Sequence, residues 1–485
     1  MIEASGTEPE VEQFEEMVTA PAAPAKVRSP WTVLASTSLA VFAVFLDTTI
    51  GFVSFPAISA TFRSSGPSTL SWVLNAYTLV FAALLIPMGR LADRIGRRRM
   101  FLIGVIVFTA GSMLCGLAPN VGFLIGAEMM EAIGAAILVP SSLALVLQTF
   151  PRDKIPVAVA IWGAIGAVAG AAGPTLGALV VSNLSWRWAF YINLPVGIIS
   201  FVLGRTVLPE GREAHPGRLP DPIGVVLLAG GIALITYAIV ETDSWGWASG
   251  RFAITVLAAA ALLVAFLVRC NRVPNPLIHL DLFRTNNFRW ANAAMVVFAI
   301  GFNAMFLGNV LFLTRVWDYS ILRAGLAISV GPLIVAATAP FFGKLAGRIG
   351  QRRLLMPGGV LWGAGGIYLI ARVTASADYL GTYLPAVVCT GIGVSLCLPQ
   401  LSSAAVQGLP PDQFGAGSAI AQAVRTFGST FGVALVIAFT SGAAAVDALD
   451  GFHRVWWLLA GSGFAVSLLS TRLVRVVAPV PAAPR

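Results

Sequence analysis

Gly89-Arg90-Leu91-Ala92-Asp93-Arg94-Ile95-Gly96-Arg97-Arg98-Arg99 is matched later in the chain by Gly343-Lys344-Leu345-Ala346-Gly347-Arg348-Ile349-Gly350-Gln351-Arg352-Arg353. Eight of the eleven positions are identical, at a separation of 254 residues. Each copy lies between long apolar runs in a chain of 485 residues that is 57% hydrophobic and 11% charged. Soluble domains carry about a quarter charged residues, so most of this surface must face lipid. A repeated basic box between apolar runs is the mark of a duplicated membrane carrier.

Windows of about 20 residues give fourteen spans. They start near Trp31, Leu70, Met100, Val121, Ile155, Trp186, Pro222, Arg251, Trp290, Arg323, Leu354, Asp378, Gly415 and Val455. With the N-terminus in the cytosol, 23 of the 31 basic residues fall on cytosolic segments, seven fall on external loops, and Arg425 lies within a span. Lys and Arg collect on the cytosolic side of short loops, so the net charge of +9 is a topology signal and requires no nucleic acid. Fourteen is even, which places both termini and both boxes in the cytosol and predicts a multi-pass protein of the cytoplasmic membrane.

Residues 1–30 are acidic and Pro/Ala-rich and are expected to form a disordered cytosolic tail. The first box follows span 2 and the second follows span 10, so two six-span units, 31–208 and 290–476, are separated by an inserted pair of spans at 222–270. Cytosolic linkers at 209–221 and 271–289 and a tail at 477–485 complete the division. The expected fold is all-α and integral to the membrane. The four cysteines lack metal-ligand spacing, and His215, His279 and His453 are placed in loops, so no metal centre is expected.

The first box resembles the loop 2–3 signature of the major facilitator superfamily. Three further stretches are similar to its fourteen-span drug:proton antiporters: Leu46-Asp47-Thr48-Thr49-Ile50 with Phe55-Pro56; Ala172-Gly173-Pro174-Thr175-Leu176-Gly177; and Trp186-Arg187-Trp188-Ala189-Phe190-Tyr191-Ile192-Asn193-Leu194-Pro195. The resemblance covers about residues 31 to 476. It implies the major facilitator fold, two six-helix bundles plus two inserted helices, acting as a monomer on a small molecule and protons. It also implies a cytoplasmic gate at Gly89, Asp93, Arg94, Gly96, Arg97 and Arg98, which latches the two halves. Gly173, Pro174 and Gly177 would be the antiporter motif. The second box has Gly347 where the first has Asp93, which assigns the latch to the first.

Ionisable groups inside spans point most sharply to function, because a central charge costs about 2.5–3.5 kcal/mol even on a lenient insertion scale. Asp47 lies about 24 Å along span 1, Glu128 and Glu131 lie about 10 and 15 Å into span 4, and Arg425 about 15 Å into span 13. Three acids against one guanidinium leave excess negative charge, so at least one acid should hold and exchange a proton. A buried ion pair of Arg425 with one acid is the plainer alternative. The resembling family carries an arginine where this chain has Glu128, so the arginine-based coupling account does not transfer. Glu128 is therefore the expected working group, with Glu131 one turn deeper.

Aromatic and amide residues offer pocket candidates: Trp72, Asn75 and Tyr77 on span 2, and Asn292, Phe302, Asn303 and Asn309 on span 9. No P-loop, nucleophile elbow or metal cluster supports an enzyme, and no cofactor is expected; an ion gradient, here of protons, must supply the energy. The expected activity is export of a small amphipathic drug, antibiotic or secondary metabolite. Export of an endogenous lipid or metabolite, and a transport-inactive sensor, are the alternatives.

Overall fold

Within lipid every backbone N–H and C=O must be bonded internally, which turns long uncharged runs into helices. The computed structural model describes residues 29–151, 154–210, 221–409, 414–441 and 448–474. The predicted tail at 477–485, all but the last two residues of the predicted tail 1–30, and most of the linker 209–221 lie outside the described residues; Pro30 already opens the first helix. Among those described, fourteen long helices follow one another: α1 Pro30–Thr61, α2 Pro67–Ile95, α3 Arg97–Leu117, α4 Val121–Thr149, α5 Ile155–Asn183, α6 Asn193–Val207, α7 Pro222–Val240, α8 Gly250–Arg272, α9 Asn286–Arg315, α10 Ile321–Ile349, α11 Arg352–Arg372, α12 Leu384–Val406, α13 Phe414–Ser441 and α14 Ala448–Ser470. No strand occurs among the described residues.

Thirteen of these segments are long and apolar enough to cross a membrane. The remaining helix, α14, carries Asp450, His453 and Arg454 in its first turns yet packs on α9 and α11. His453 therefore belongs to a helix and not to the loop the sequence suggests, because the helix starts seven residues before Val455. The span read from Trp186 is one apolar segment, Trp188–Val207, with a single turn residue at Ile192. A short helix, Trp188–Tyr191, precedes α6. Pro195 has no N–H for the carbonyl of Tyr191, which weakens the ladder there.

The packing repeats with the duplication. In the first half α1 packs on α5, α2 on α4, α3 on α4 and α6, and α1 on α6; eight helices later the same pairs recur as α9·α13, α10·α12, α11·α12, α11·α14 and α9·α14. Both boxes turn on a glycine of positive φ, Gly96 at 126° and Gly350 at 90°, where a side chain would be strained. Equivalent box positions even make equivalent contacts, Arg97 with Gln148 of α4 and Gln351 with Ser403 of α12.

The halves meet along two seams. On one, α2 faces α13, with Thr78 and Thr430 hydroxyls 2.9 Å apart. On the other, α5 faces α10 near the end opposite the boxes, where Thr175 bonds Ser329 and Gly325 lies against Pro174 and Ala178. Phe52 of α1 and Phe306 of α9 add an aromatic contact with centroids 5.4 Å apart. Toward the boxes α5 and α10 are largely exposed, so the halves are parted there.

α7 and α8 pack on each other outside this repeat. Asp221 caps α7 by accepting from Ile223 N at 3.2 Å and Gly224 N at 3.0 Å, and it accepts from Arg269 Nη2 of α8 at 2.9 Å. The Arg269 guanidinium holds the Asp221 carboxyl below the usual carboxylate range. A depressed value adds stability above the ordinary aspartate range and loses it as pH falls through the folded value. Asp221→Ala should thus cost about 1 kcal/mol at neutral pH, the worth of a helix cap. In thermal unfolding of the detergent-purified protein the two should converge below about pH 4; equal stability at neutral pH would refute the cap.

Candidate functional site

Asn193 opens α6 with its side chain aimed into the first half. Its Nδ2 donates to Asp47 Oδ1 of α1 and to Ser112 Oγ of α3, each at 2.9 Å, and lies 3.4 Å from Glu131 Oε1 of α4. An amide has two N–H donors, so the two short bonds are full and the third is shared. Ser112 Oγ donates onward to Phe190 O at 3.0 Å, and Cys115 Sγ lies 3.5 Å from Glu131 Oε2. One amide thereby gathers two carboxylates from different helices.

Asp47 is 7% exposed, Glu128 5%, Glu131 0% and Asn193 1%, so these groups are withdrawn from water. Glu128 lies one turn from Glu131 and within electrostatic reach of Asp47. Among the described residues no Arg, Lys or His pairs with any of the three. Close helix packing holds the cluster. A Cβ on Gly111 of α3 would come within 2.6 Å of the Glu131 backbone, which only glycine allows.

The sequence brings Asp47, Glu128 and Glu131 forward correctly as buried acids, yet Glu131, not Glu128, makes the hydrogen bonds at the centre of the cluster. Arg425 does not join them: it sits on α13 in the other half and forms no ion pair with a described acid. The sequence gives no site role to Asn193, Ser112 or Cys115. Asn193 had a visible signal, an amide two residues before a proline within an apolar run.

The glycines of α5 set the neighbouring contact. A Cβ on Gly173 would overlap the Thr49 hydroxyl, one on Gly177 would come within 3.2 Å of Ile50, and one on Gly166 within 3.0 Å of Phe45. All three targets are on α1, flanking Asp47. Pro174 O meanwhile faces Gly325 of α10 in the second half. The Gly-Pro pair is thus wedged between the acid-bearing helix and the opposite half.

Asp93, Arg97 and Arg98 of the first box are tied within their own half. Arg97 Nε donates to Asp93 Oδ1 at 2.9 Å across the Gly96 turn, Arg97 Nη1 to Gln148 Oε1 at 3.3 Å, and Arg98 Nη2 to Arg205 O at 2.6 Å. Gly89 packs on Pro140, and Arg94 is exposed. The implied latch between halves is not made here by Asp93, Arg97 or Arg98, which agrees with the parting of α5 and α10 at this end.

Among the pocket candidates, Tyr77 is buried within electrostatic reach of all three acids. Asn75 is fully buried, with neither side-chain polar atom bonded, and Trp72, three residues earlier, is half-buried. On α9, Asn303 Nδ2 donates to Ser429 Oγ of α13 at 2.8 Å, which makes it a helix-to-helix tie. Asn292 donates to Phe288 O, Asn309 leaves its Oδ1 unpartnered, and Phe302 stacks on Phe298.

Comparison with known proteins agrees with this architecture. The chain is 34% identical over 410 residues, 84% of its length, to the multidrug resistance protein Stp of Mycobacterium tuberculosis, covering 75% of that protein. It is 32% identical over 458 residues, 94% of its length, to the cephamycin export protein CmcT of Amycolatopsis lactamdurans, covering 93% of it. The tetracenomycin C resistance and export protein of Streptomyces glaucescens is 30% identical, with 84% of this chain and 75% of that protein covered. In fold the chain is similar to a POT family peptide transporter, with a TM-score of 0.68 at 17% identity over 93% of this chain and 98% of the other. A D-xylose-proton symporter matches with a TM-score of 0.67 at 14% identity, covering 92% and 98%. The profile of the Major Facilitator Superfamily matches residues 37–315 and 293–485. Duplicated helix packing, extensive identity and this match together show that the chain belongs to the Major Facilitator Superfamily, whose members are multi-pass membrane transporters and not enzymes.

Proposed function

We propose that this protein exports small amphipathic compounds, drugs or antibiotics among them, across the cytoplasmic membrane in exchange for protons. The carrying observation is the group Asp47, Glu128 and Glu131, buried in one half around Asn193 with no described cation. Like charges this close in a medium of low dielectric cannot all be ionised, so the cluster holds at least one proton or a cationic part of the cargo. Either occupant removes the repulsion, and the two compete. That competition is what exchange of cargo against protons requires.

Placing both termini and both boxes in the cytosol makes the parted end of α5 and α10 the cytosolic one. The state described is then open to the inside, and closing it would bring Asp93 and its neighbouring arginines against the second half. The names of CmcT and of the tetracenomycin C protein as export proteins support outward transport.

In everted membrane vesicles, pumping of ethidium or tetraphenylphosphonium should stop when a protonophore collapses the pH gradient and the membrane potential. Pumping that continues unchanged would refute proton coupling.

A further inference from the structure

The inserted helices stand outside the duplicated packing, and they touch both halves. α7 packs on α2 of the first half and α13 of the second. One apolar cluster joins Ala83 and Ile86 of α2, Leu228 and Ile232 of α7, and Ala423 and Phe427 of α13. Both ends of the insert are fastened as well. Opposite the boxes, Ser68 at the start of α2 donates to the Glu241 carboxylate, and Trp247 lies on Phe439 of α13 with centroids 6.5 Å apart. Within the first box, Arg90 Nη2 of α2 lies 3.2 Å from His279 Nε2 in the segment leaving α8. The α2–α13 seam is therefore splinted along its length.

The opposite seam has no splint. α5 and α10 meet around Pro174–Ala178 and Gly325–Ser329, and nearer the boxes Gly163, Gly170, Gly343 and Gly347 have open space where a Cβ would stand. Leu333 and Phe341 are exposed there, at 61% and 64%. Neither helix carries a charge between Lys154 and Arg187 or between Arg323 and Lys344.

We infer that α7 and α8 act as a splint that holds the α2–α13 seam together and confines parting of the halves to the α5–α10 seam. The splint follows from contacts alone.

Two spin-label pairs near the boxes test the splint in lipid nanodiscs, on full-length protein with its four cysteines replaced by alanine: Gly163→Cys with Gly343→Cys, and Met88→Cys with Ser418→Cys. The α5–α10 pair should give a distance distribution about twofold wider or more across pH 5.5 to 8, on the scale of domain rocking, while the α2–α13 pair stays single and narrow. Ser68→Ala with Trp247→Ala and His279→Ala should broaden the α2–α13 distribution. Equal widths at the two seams in the unsplinted background would overturn the splint whether or not the protein exports anything.

Discussion

Gly173→Val is expected to abolish export while a large fraction of the protein still reaches the membrane. A Cβ at this position overlaps the Thr49 hydroxyl, and Pro174, the next residue, faces Gly325 across the α5–α10 seam. Valine must therefore push α5 away from α1, beside Asp47, or toward α10. Overpacking of this kind costs about 1–3 kcal/mol, which corresponds to roughly 5- to 150-fold in a balance between two states. Gly173→Ala should show a smaller loss, and adding Thr49→Gly should restore part of it by clearing the overlapping atoms. Ethidium efflux from intact cells, normalised to membrane protein, measures all three. Export by Gly173→Val at the unsubstituted rate would show that the close approach has no part in transport.

The second large effect concerns Glu131. Glu131→Gln should remove gradient-driven export by more than an order of magnitude and at the same time raise the thermal stability of the purified protein. The two expectations share one cause. A carboxylate with no exposed surface and no ion-pair partner is an expensive group, and an amide of the same shape keeps hydrogen bonding to Asn193 and Cys115 without the charge. A purely structural carboxylate would behave in the opposite way, with the variant less stable and gradient dependence retained. Melting temperature in detergent, read beside export with and without a protonophore, separates the cases. Asn193→Leu should lose stability and transport together, since it strips the shared donor from both Asp47 and Glu131.

Much of this protein is legible along the chain because lipid is an undemanding but strict solvent. Long uncharged runs can only become helices, so fourteen spans, the doubled box and the displaced insert are read from local composition and repetition alone. The same reasoning exposes Asp47, Glu128, Glu131 and Arg425, since any charge amid such runs stands out. It fails where a helix start carries charge, as at α14, because hydropathy counts the charge and not the helix. Which charges meet is a property of packing. Glu131 and not Glu128 lies at the centre of the bonds, Arg425 stays in the other half, and Asn193 becomes the junction. Those outcomes depend on the rotation and approach of α1, α3, α4 and α6, set by contacts such as Gly111 against Glu131 and Gly173 against Thr49, between residues far apart in the chain. Composition determined that this protein lives in the bilayer as a doubled helical carrier; only close helix packing decided which buried carboxylates share one amide, and which of the two seams the inserted helices hold shut.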